Sequence, residues 1–69
     1  MNRYSYAELR QAVEADPTPE NVAALGEWLE KYDPRSWNGE YYSADGLRIF
    51  PIYTETEPDE YEITGYEIR

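Results

Sequence analysis

Two Asp-Pro pairs, at residues 16–17 and 33–34, divide this sequence into segments of different pattern. Proline lacks a backbone N–H and disfavours helical backbone at the residue before it, so each pair ends a helix. Apolar residues recur at helical spacing before each pair, which predicts helices over about residues 6–15 and 19–32. From Trp37 onward the apolar period changes to two, which is the period of β-strands.

Both predicted helices carry start signals. Ser5 and Glu8 have the spacing of a capping box, and Tyr4 and Leu9 have the spacing of a hydrophobic staple. Thr18 is expected to cap the second helix, and the proline after it suits the first helical position. The two helices are therefore predicted from local chemistry as well as from apolar spacing.

Gly26 interrupts the apolar stripe of the second helix. Glycine in a helix interior costs about 1 kcal/mol relative to alanine. One reason for such a residue is close approach of another element, so we expect the first helix or the sheet to contact the second helix at this point.

Three strands are predicted in the C-terminal half, at about residues 40–43, 47–54 and 61–68. Residues 44–46 (Ala-Asp-Gly) and residues 57–60 (Glu-Pro-Asp-Glu) supply the turns between them. The pattern predicts an α+β fold in which two helices pack on one face of a three-stranded antiparallel meander (ααβββ).

The last two predicted strands share an irregularity. The apolar phase changes near Pro51 in the middle strand and near Gly65 in the last strand. A hairpin through residues 57–60 brings the two changes to the same height, which predicts a shared bulge or sharp bend. Because Pro51 cannot donate to a β-ladder, its strand is expected to lie at an edge or to bulge there.

Composition excludes several classes of function. The 69 residues form one small domain, residues 1–69, with no cysteine, no histidine and a formal net charge of −9. Without histidine or cysteine no conventional catalytic triad and no Cys-based zinc site can form. The acidic residues do not follow the spacing of a calcium-binding loop. We therefore expect no enzymatic activity, no catalytic residue, no cofactor and no metal site.

The charge also limits the partners. Fifteen acidic residues outnumber six basic ones, which are scattered, so direct binding of nucleic acid is not expected. The N-terminal stretch MNRYSYAELR lacks the apolar core of a signal peptide, and no apolar run is long enough to span a membrane. We expect a cytoplasmic protein with no membrane partner.

Negative charge is concentrated in the C-terminal hairpin. Residues 49–68 hold six acidic residues and no basic one. One interpretation is a carboxylate array that stands in for phosphates and binds a basic surface on another protein. The other is a solvated turn whose charges prevent aggregation of an edge strand. The candidate acidic residues are Glu55, Glu57, Asp59, Glu60, Glu62 and Glu67.

Aromatic residues cluster in the stretch WNGEYY, residues 37–42. Exposed Trp and Tyr side chains are typical of interface hot spots, whereas buried ones belong to the core. Strand alternation places Tyr41 and Tyr42 on opposite faces, so only one of them is expected in the core. Trp37, Tyr41 and Tyr42 are therefore candidates for either role.

In size, charge, paired capped helices and the stretch WNGEYYSADGLRIFPIY, the sequence resembles the short acidic proteins of bacteriophages and mobile elements. The resemblance is one of general type and carries over no functional residue. It implies a class of roles that includes inhibition of host nucleases by antirestriction and anti-CRISPR proteins, some of which resemble DNA in charge.

These observations predict a non-enzymatic interaction protein. Its acidic tract is expected to bind a basic, nucleic-acid-binding surface of a partner protein, and a nuclease is the natural candidate. The alternative is a small structural or self-associating domain, a homodimer formed through a strand edge, in which the acidic tract is only solvated surface.

Overall fold

The computed structural model describes residues 5–69 and has the ααβββ order predicted from the sequence. The three strands form one antiparallel sheet in the order β1-β2-β3, and the fold is a small α+β fold. A short 3-10 helix, Pro34–Ser36, joins the helical half to the sheet. The helices are α1 (Tyr6–Ala15) and α2 (Pro19–Tyr32), and the strands are β1 (Tyr42–Ala44), β2 (Leu47–Glu57) and β3 (Glu60–Ile68).

Both helices begin where their caps predict. The Ser5 hydroxyl accepts a hydrogen bond from the backbone N–H of Glu8 at 3.3 Å. The Thr18 hydroxyl accepts one from the backbone N–H of Asn21 at 3.2 Å. Each bond satisfies an N–H that has no partner within its helix. The expected hydrophobic staple involves Tyr4, which lies outside the described residues.

The first strand begins later than the predicted residue 40. The side-chain oxygen of Asn38 accepts hydrogen bonds from the backbone N–H groups of Glu40 at 2.9 Å and Tyr41 at 3.0 Å. This local turn occupies both amides, so they are not available to a β-ladder. β1 therefore consists of only three residues, which pair with the start of β2.

The register of β2 and β3 confirms the predicted irregularity. Pro51 pairs with Tyr66, and the register then shifts so that Thr64 is the extra residue on β3. β2 is the central strand, but β1 pairs with it only as far as Ile49. At Pro51 the strand therefore has a strand neighbour on one side only, which is where a residue without a donor is tolerated.

The core lies between the helices and the base of the sheet. Every residue from Ile52 to Thr64 is exposed, so the far end of the β2–β3 pair takes no part in the core. The sheet therefore has a buried base and an uncovered distal end. The buried apolar residues are Leu9, Val13, Val22, Leu25 and Leu29 from the helices, and Tyr42, Ala44, Ile49 and Tyr66 from the sheet.

Gly26 allows Tyr66 to pack on the backbone of α2. A Cβ atom at Gly26 would lie only 2.5 Å from Cδ2 and 2.7 Å from Cδ1 of the Tyr66 ring. The hydroxyl of Tyr66 donates a hydrogen bond to the Glu30 carboxylate at 2.7 Å, one turn further along the helix. The sheet is therefore the element whose close approach requires the glycine, and β3 is held against α2 at this point.

Arg10 connects α1 to the turn between β1 and β2. Its guanidinium donates to the backbone oxygens of Ala44 at 3.2 Å and Asp45 at 2.7 Å. Asp45 and Gly46 both have positive φ, +48° and +96°, as expected of a tight two-residue hairpin turn. The Tyr6 hydroxyl donates to the Asp45 carboxylate at 2.8 Å. Both contacts orient the first helix on the sheet.

We expect Gly26→Ala to destabilise the protein. Alanine is favoured over glycine in a helix by about 1 kcal/mol, but its methyl group would force the Tyr66 ring off the helix. Overpacking costs about 1–3 kcal/mol, and contacts this short lie at the costly end, so we expect a net loss of stability of up to about 2 kcal/mol. Urea unfolding monitored by circular dichroism measures it. Ala7→Gly, at an exposed position of α1, is the control for helix propensity alone, and a stabilised Gly26→Ala variant would contradict the packing.

Stability should fall above pH 10. Burial and the hydrogen bond to Asp45 raise the pKa of Tyr6 to about 12, and burial also raises the pKa values of Tyr42 and Tyr66. The folded protein therefore holds these protons more tightly than the unfolded chain, in which tyrosine has a pKa of about 10. Stability is retained below pH 10 and lost as the pH rises towards 12 and beyond, by up to about 1.4 kcal/mol per pH unit for each tyrosine.

Thermal unfolding between pH 8 and 12 measures this loss. Tyr66→Phe should make the loss shallower because one of these protons is gone. Tyr61→Phe, at an exposed position, serves as the matched control. A melting temperature that stays constant across this pH range would contradict the expectation.

Candidate functional site

Residues 53–63, here called the distal hairpin, form the uncovered end of the β2–β3 pair. β2 ends at Glu57 and β3 begins at Glu60, so the connecting loop has two residues. Pro58, the first loop residue, has its φ fixed by the proline ring, and Asp59, the second, has a φ of +68°. This is the φ pattern of a type II turn. A tight turn and β-forming residues on both sides thus produce a ribbon that extends beyond the helices.

Element lengths explain why the distal hairpin is uncovered. α2 has 14 residues and so spans roughly 21 Å at the helical rise. β2 has 11 residues and spans roughly 36 Å at the rise of a strand. Because α2 packs along β3 at Tyr66, near the base, it cannot reach the hairpin turn. The two strands therefore extend beyond the helical layer without a covering element.

One face of the distal hairpin is aromatic. Tyr53 pairs with Ile63 and Glu55 pairs with Tyr61, and the register does not shift between these two pairs. Directly opposed residues and their neighbours two positions along lie on one face, so all four side chains share it. Tyr53, Tyr61 and Ile63 are 55%, 63% and 39% exposed. We call these four residues, Tyr53, Glu55, Tyr61 and Ile63, the tyrosine face.

The opposite face of the distal hairpin is polar. Thr54 pairs with Glu62 across the strands. The hydroxyls of Thr54 and Thr64 lie 2.8 Å apart and share a hydrogen bond beside the shifted register. This bond links the two strands where the ribbon leaves the base of the sheet.

The acidic residues surround the hairpin turn. Glu55 is on the tyrosine face, Glu62 is on the opposite face, and Glu57 and Glu60 are paired at the end of the strands beside Asp59. The register shifts between Glu55 and Glu57, so strand alternation does not place these two carboxylates on one face. The array is thus distributed around the turn rather than along one face.

Within residues 5–69, no arginine or lysine forms an ion pair with these five carboxylates. The ion pairs among the described residues are Arg10–Glu14, Arg10–Asp45 and Arg69–Glu67, all outside the distal hairpin. Glu67 lies at the base of the sheet, 2.6 Å from the Arg69 guanidinium. The structure thus separates Glu67 from the other five candidates, whose charges are not neutralised by any described base.

Additional carboxylates lie along the free edge of β3. A groove between this edge and α2 is lined by Glu27 and Glu30 on the helix and by Glu62 on the strand. Its lining also includes Ile63 and Gly65. Negative charge therefore continues from the hairpin turn along one side of the molecule.

The candidate aromatic residues lie at the base of the sheet. Trp37 packs on Tyr42 with ring centroids 4.8 Å apart, and Tyr42 is buried. Tyr41 is half-buried on the other face of the sheet, 4.9 Å from the ring of Phe50. Tyr42 is therefore the core member of the pair, and the rings that pack on these three residues lie at the base of the sheet.

The aromatic residues that are exposed beside the acidic array, Tyr53 and Tyr61, were not among the candidates from sequence. Their apolar alternation is the same as that of a buried strand, so pattern alone suggests a core position. Strand length is the feature that indicates their exposure, because an 11-residue strand is longer than the helices that would have to cover it.

Among the described residues, no three carboxylates converge closely enough to hold a metal ion. No helix within residues 5–69 is both long and apolar enough to cross a membrane. Comparison of the sequence with protein-family models, with curated proteins and with solved structures gives no match. The geometry of the distal hairpin is therefore the main basis for a functional proposal.

Proposed function

We propose that this protein is a non-enzymatic inhibitor whose distal hairpin binds a basic, nucleic-acid-binding surface of a partner protein, in the manner of anti-CRISPR and antirestriction proteins. The observation that supports the proposal most strongly is a projecting ribbon that carries five carboxylates with no ion-pair partner among residues 5–69. Such a ribbon can enter a groove that a globular surface cannot.

The charge density of the distal hairpin is comparable to that of DNA. The five carboxylates lie within residues 55–62, where each strand spans roughly 10 Å (three residues at the rise of a strand). That gives one negative charge per roughly 2 Å around the turn, against about 3.4 Å for one strand of B-DNA and about 1.7 Å for the duplex. A partner surface that binds phosphates would therefore meet a comparable density of negative charge on the distal hairpin.

The mechanism in this proposal is occlusion. Arginine and lysine side chains that normally hold phosphates would pair with the hairpin carboxylates, and the nucleic acid would be excluded. A net charge of −9 also accelerates encounter with a basic partner and makes the association sensitive to salt. The proposal places the protein in the cytoplasm, and a sequence without cysteine suits that reducing compartment.

Reversal of the hairpin charge should weaken inhibition. The test variant is Glu55→Lys/Glu57→Lys/Glu60→Lys, and the measurement is cleavage of duplex DNA by a panel of purified restriction and RNA-guided nucleases. Wild-type protein should inhibit at least one of them at low salt, and the variant should need more than about tenfold more protein for the same effect, because each lost charge pair contributes to binding.

Asp16→Lys/Glu20→Lys/Glu40→Lys is the matched control, since it changes the net charge equally at exposed positions outside the hairpin. This control should inhibit almost as well as the wild-type protein. Inhibition by the hairpin variant that equals wild type at low salt would refute the occlusion mechanism. Failure to inhibit any nuclease would count against a nuclease as the partner.

Self-association is the second candidate. β3 has no strand on its outer side, and the tyrosine face is uncovered, so two copies could pair along this edge. Antiparallel pairing of two β3 strands in a register centred on Tyr61, where the tyrosine face would be shared, opposes Glu60 of each copy to Glu62 of the other. Like charges opposed across strands are destabilising. The charge of β3 therefore favours a basic partner over a second copy.

Sedimentation at low salt, from micromolar to millimolar protein, distinguishes the two candidates. Repulsion between acidic edges is strongest when salt is low, so it predicts a monomer across the whole range, and a strict monomer at millimolar protein would exclude self-association. A stable dimer under these conditions would support the self-associating domain.

A further inference from the structure

The two faces of the distal hairpin are both exposed, but only one of them is aromatic. The polar face carries Thr54 and Glu62, which are ordinary residues for a solvated ribbon. The tyrosine face carries two tyrosines that are 55% and 63% exposed and an isoleucine, 39% exposed, that also lines the groove beside α2. Exposed aromatic groups surrounded by charge are typical of a contact surface. The asymmetry indicates that this face is the one that meets a partner.

The tyrosine face combines a ring with a carboxylate. Tyr61 and Glu55 are directly opposed across the two strands. The Cβ atoms of such a pair lie about 4.5–5.5 Å apart, so one ligand group can contact both side chains. A guanidinium suits this pair because it is planar, stacks on an aromatic ring and forms two parallel hydrogen bonds with a carboxylate. A lysine ammonium offers only a point charge.

At the base of the same two strands, an arginine of the chain already contacts such a ring and carboxylate, with both of its hydrogen bonds on one carboxylate oxygen. Phe50 and Glu67 are directly opposed across β2 and β3. The Arg69 guanidinium lies 4.5 Å from the centroid of the Phe50 ring and donates to the Glu67 carboxylate at 2.6 and 3.0 Å. An aromatic residue opposite a glutamate on these strands thus holds an arginine within the chain itself.

The pair in the distal hairpin has the same composition. Its ring is on β3 and its carboxylate on β2, which is the reverse of the Phe50–Glu67 pair. No arginine of residues 5–69 forms an ion pair with Glu55. The charge of the chain favours an arginine from another protein over one from a second copy, because molecules of net charge −9 repel each other.

We propose that the tyrosine face is an arginine-binding site. An arginine side chain of the basic partner stacks on Tyr61 and pairs with Glu55, and Tyr53 and Ile63 contact its methylene groups. This inference rests on the proposed function and makes it more specific, since it selects partners whose basic surface presents arginine rather than lysine. Arginines that normally contact phosphates are the residues that the hairpin would occupy.

The probes that test this site are two capped nine-residue peptides, one of arginine and one of lysine, titrated against the full chain by calorimetry near physiological salt. Their charge and length are equal, so simple electrostatic attraction gives equal binding. We expect the arginine peptide to bind about three- to tenfold more tightly, as stacking and paired hydrogen bonds are available only to guanidinium.

Tyr61→Leu and Glu55→Gln should each reduce this preference towards unity. Two matched controls should retain it. Tyr32→Leu removes a tyrosine of similar exposure elsewhere on the surface, and Glu62→Gln removes one charge from the opposite face of the hairpin. All four positions are exposed, and circular dichroism verifies that each variant keeps the native fold.

Each other outcome is informative. Equal binding of the two peptides to wild-type protein would overturn the arginine site and leave the occlusion mechanism standing. Absence of binding by either peptide would count against both. A preference that Tyr61→Leu does not change would show that arginine is recognised elsewhere. Dimerisation that depends on Tyr61 would assign the tyrosine face to a second copy of the chain.

Discussion

The arrangement of this protein depends on the contact between Tyr66 and the backbone of α2. Because Gly26 has no side chain, the ring packs on the helix itself, and its hydroxyl is held by Glu30. This contact determines how closely the helix approaches the sheet and which part of β3 it covers. Tyr66 lies near the base of the sheet, so the core forms there and the other end of the strands is left without a helix.

The distal hairpin follows from a difference in rise per residue. Strands lengthen more than twice as fast as helices, so a strand pair of this length extends beyond a helix of 14 residues. In most small domains such an end would be an aggregation hazard, and charge is the usual protection. Here the charge is all negative and lies beside two exposed tyrosines, Tyr53 and Tyr61. Protection against aggregation does not require exposed aromatic residues.

One motif of this chain combines an aromatic ring with a negative and a positive side chain. At the base of the sheet an aromatic ring, a glutamate and an arginine form a complete set, with Phe50, Glu67 and Arg69 as its members. In the distal hairpin the ring and the glutamate are present, and the cation is expected from a partner. In our proposal a partner's arginine completes this set, which would account for the aromatic residues beside the acidic ones.

Local chemistry in the sequence determined the two helices, their caps, the turn at Asp45 and the irregularity at Pro51, because proline, glycine and capping residues act on their immediate neighbours. It also determined which residues carry the negative charge. Only the tertiary structure decided that Tyr42 is core, that Glu67 is paired with Arg69, and that Tyr53 and Tyr61 are uncovered. Alternation shows which residues share a face of a strand, but whether another element covers that face depends on where the helices end and how they pack.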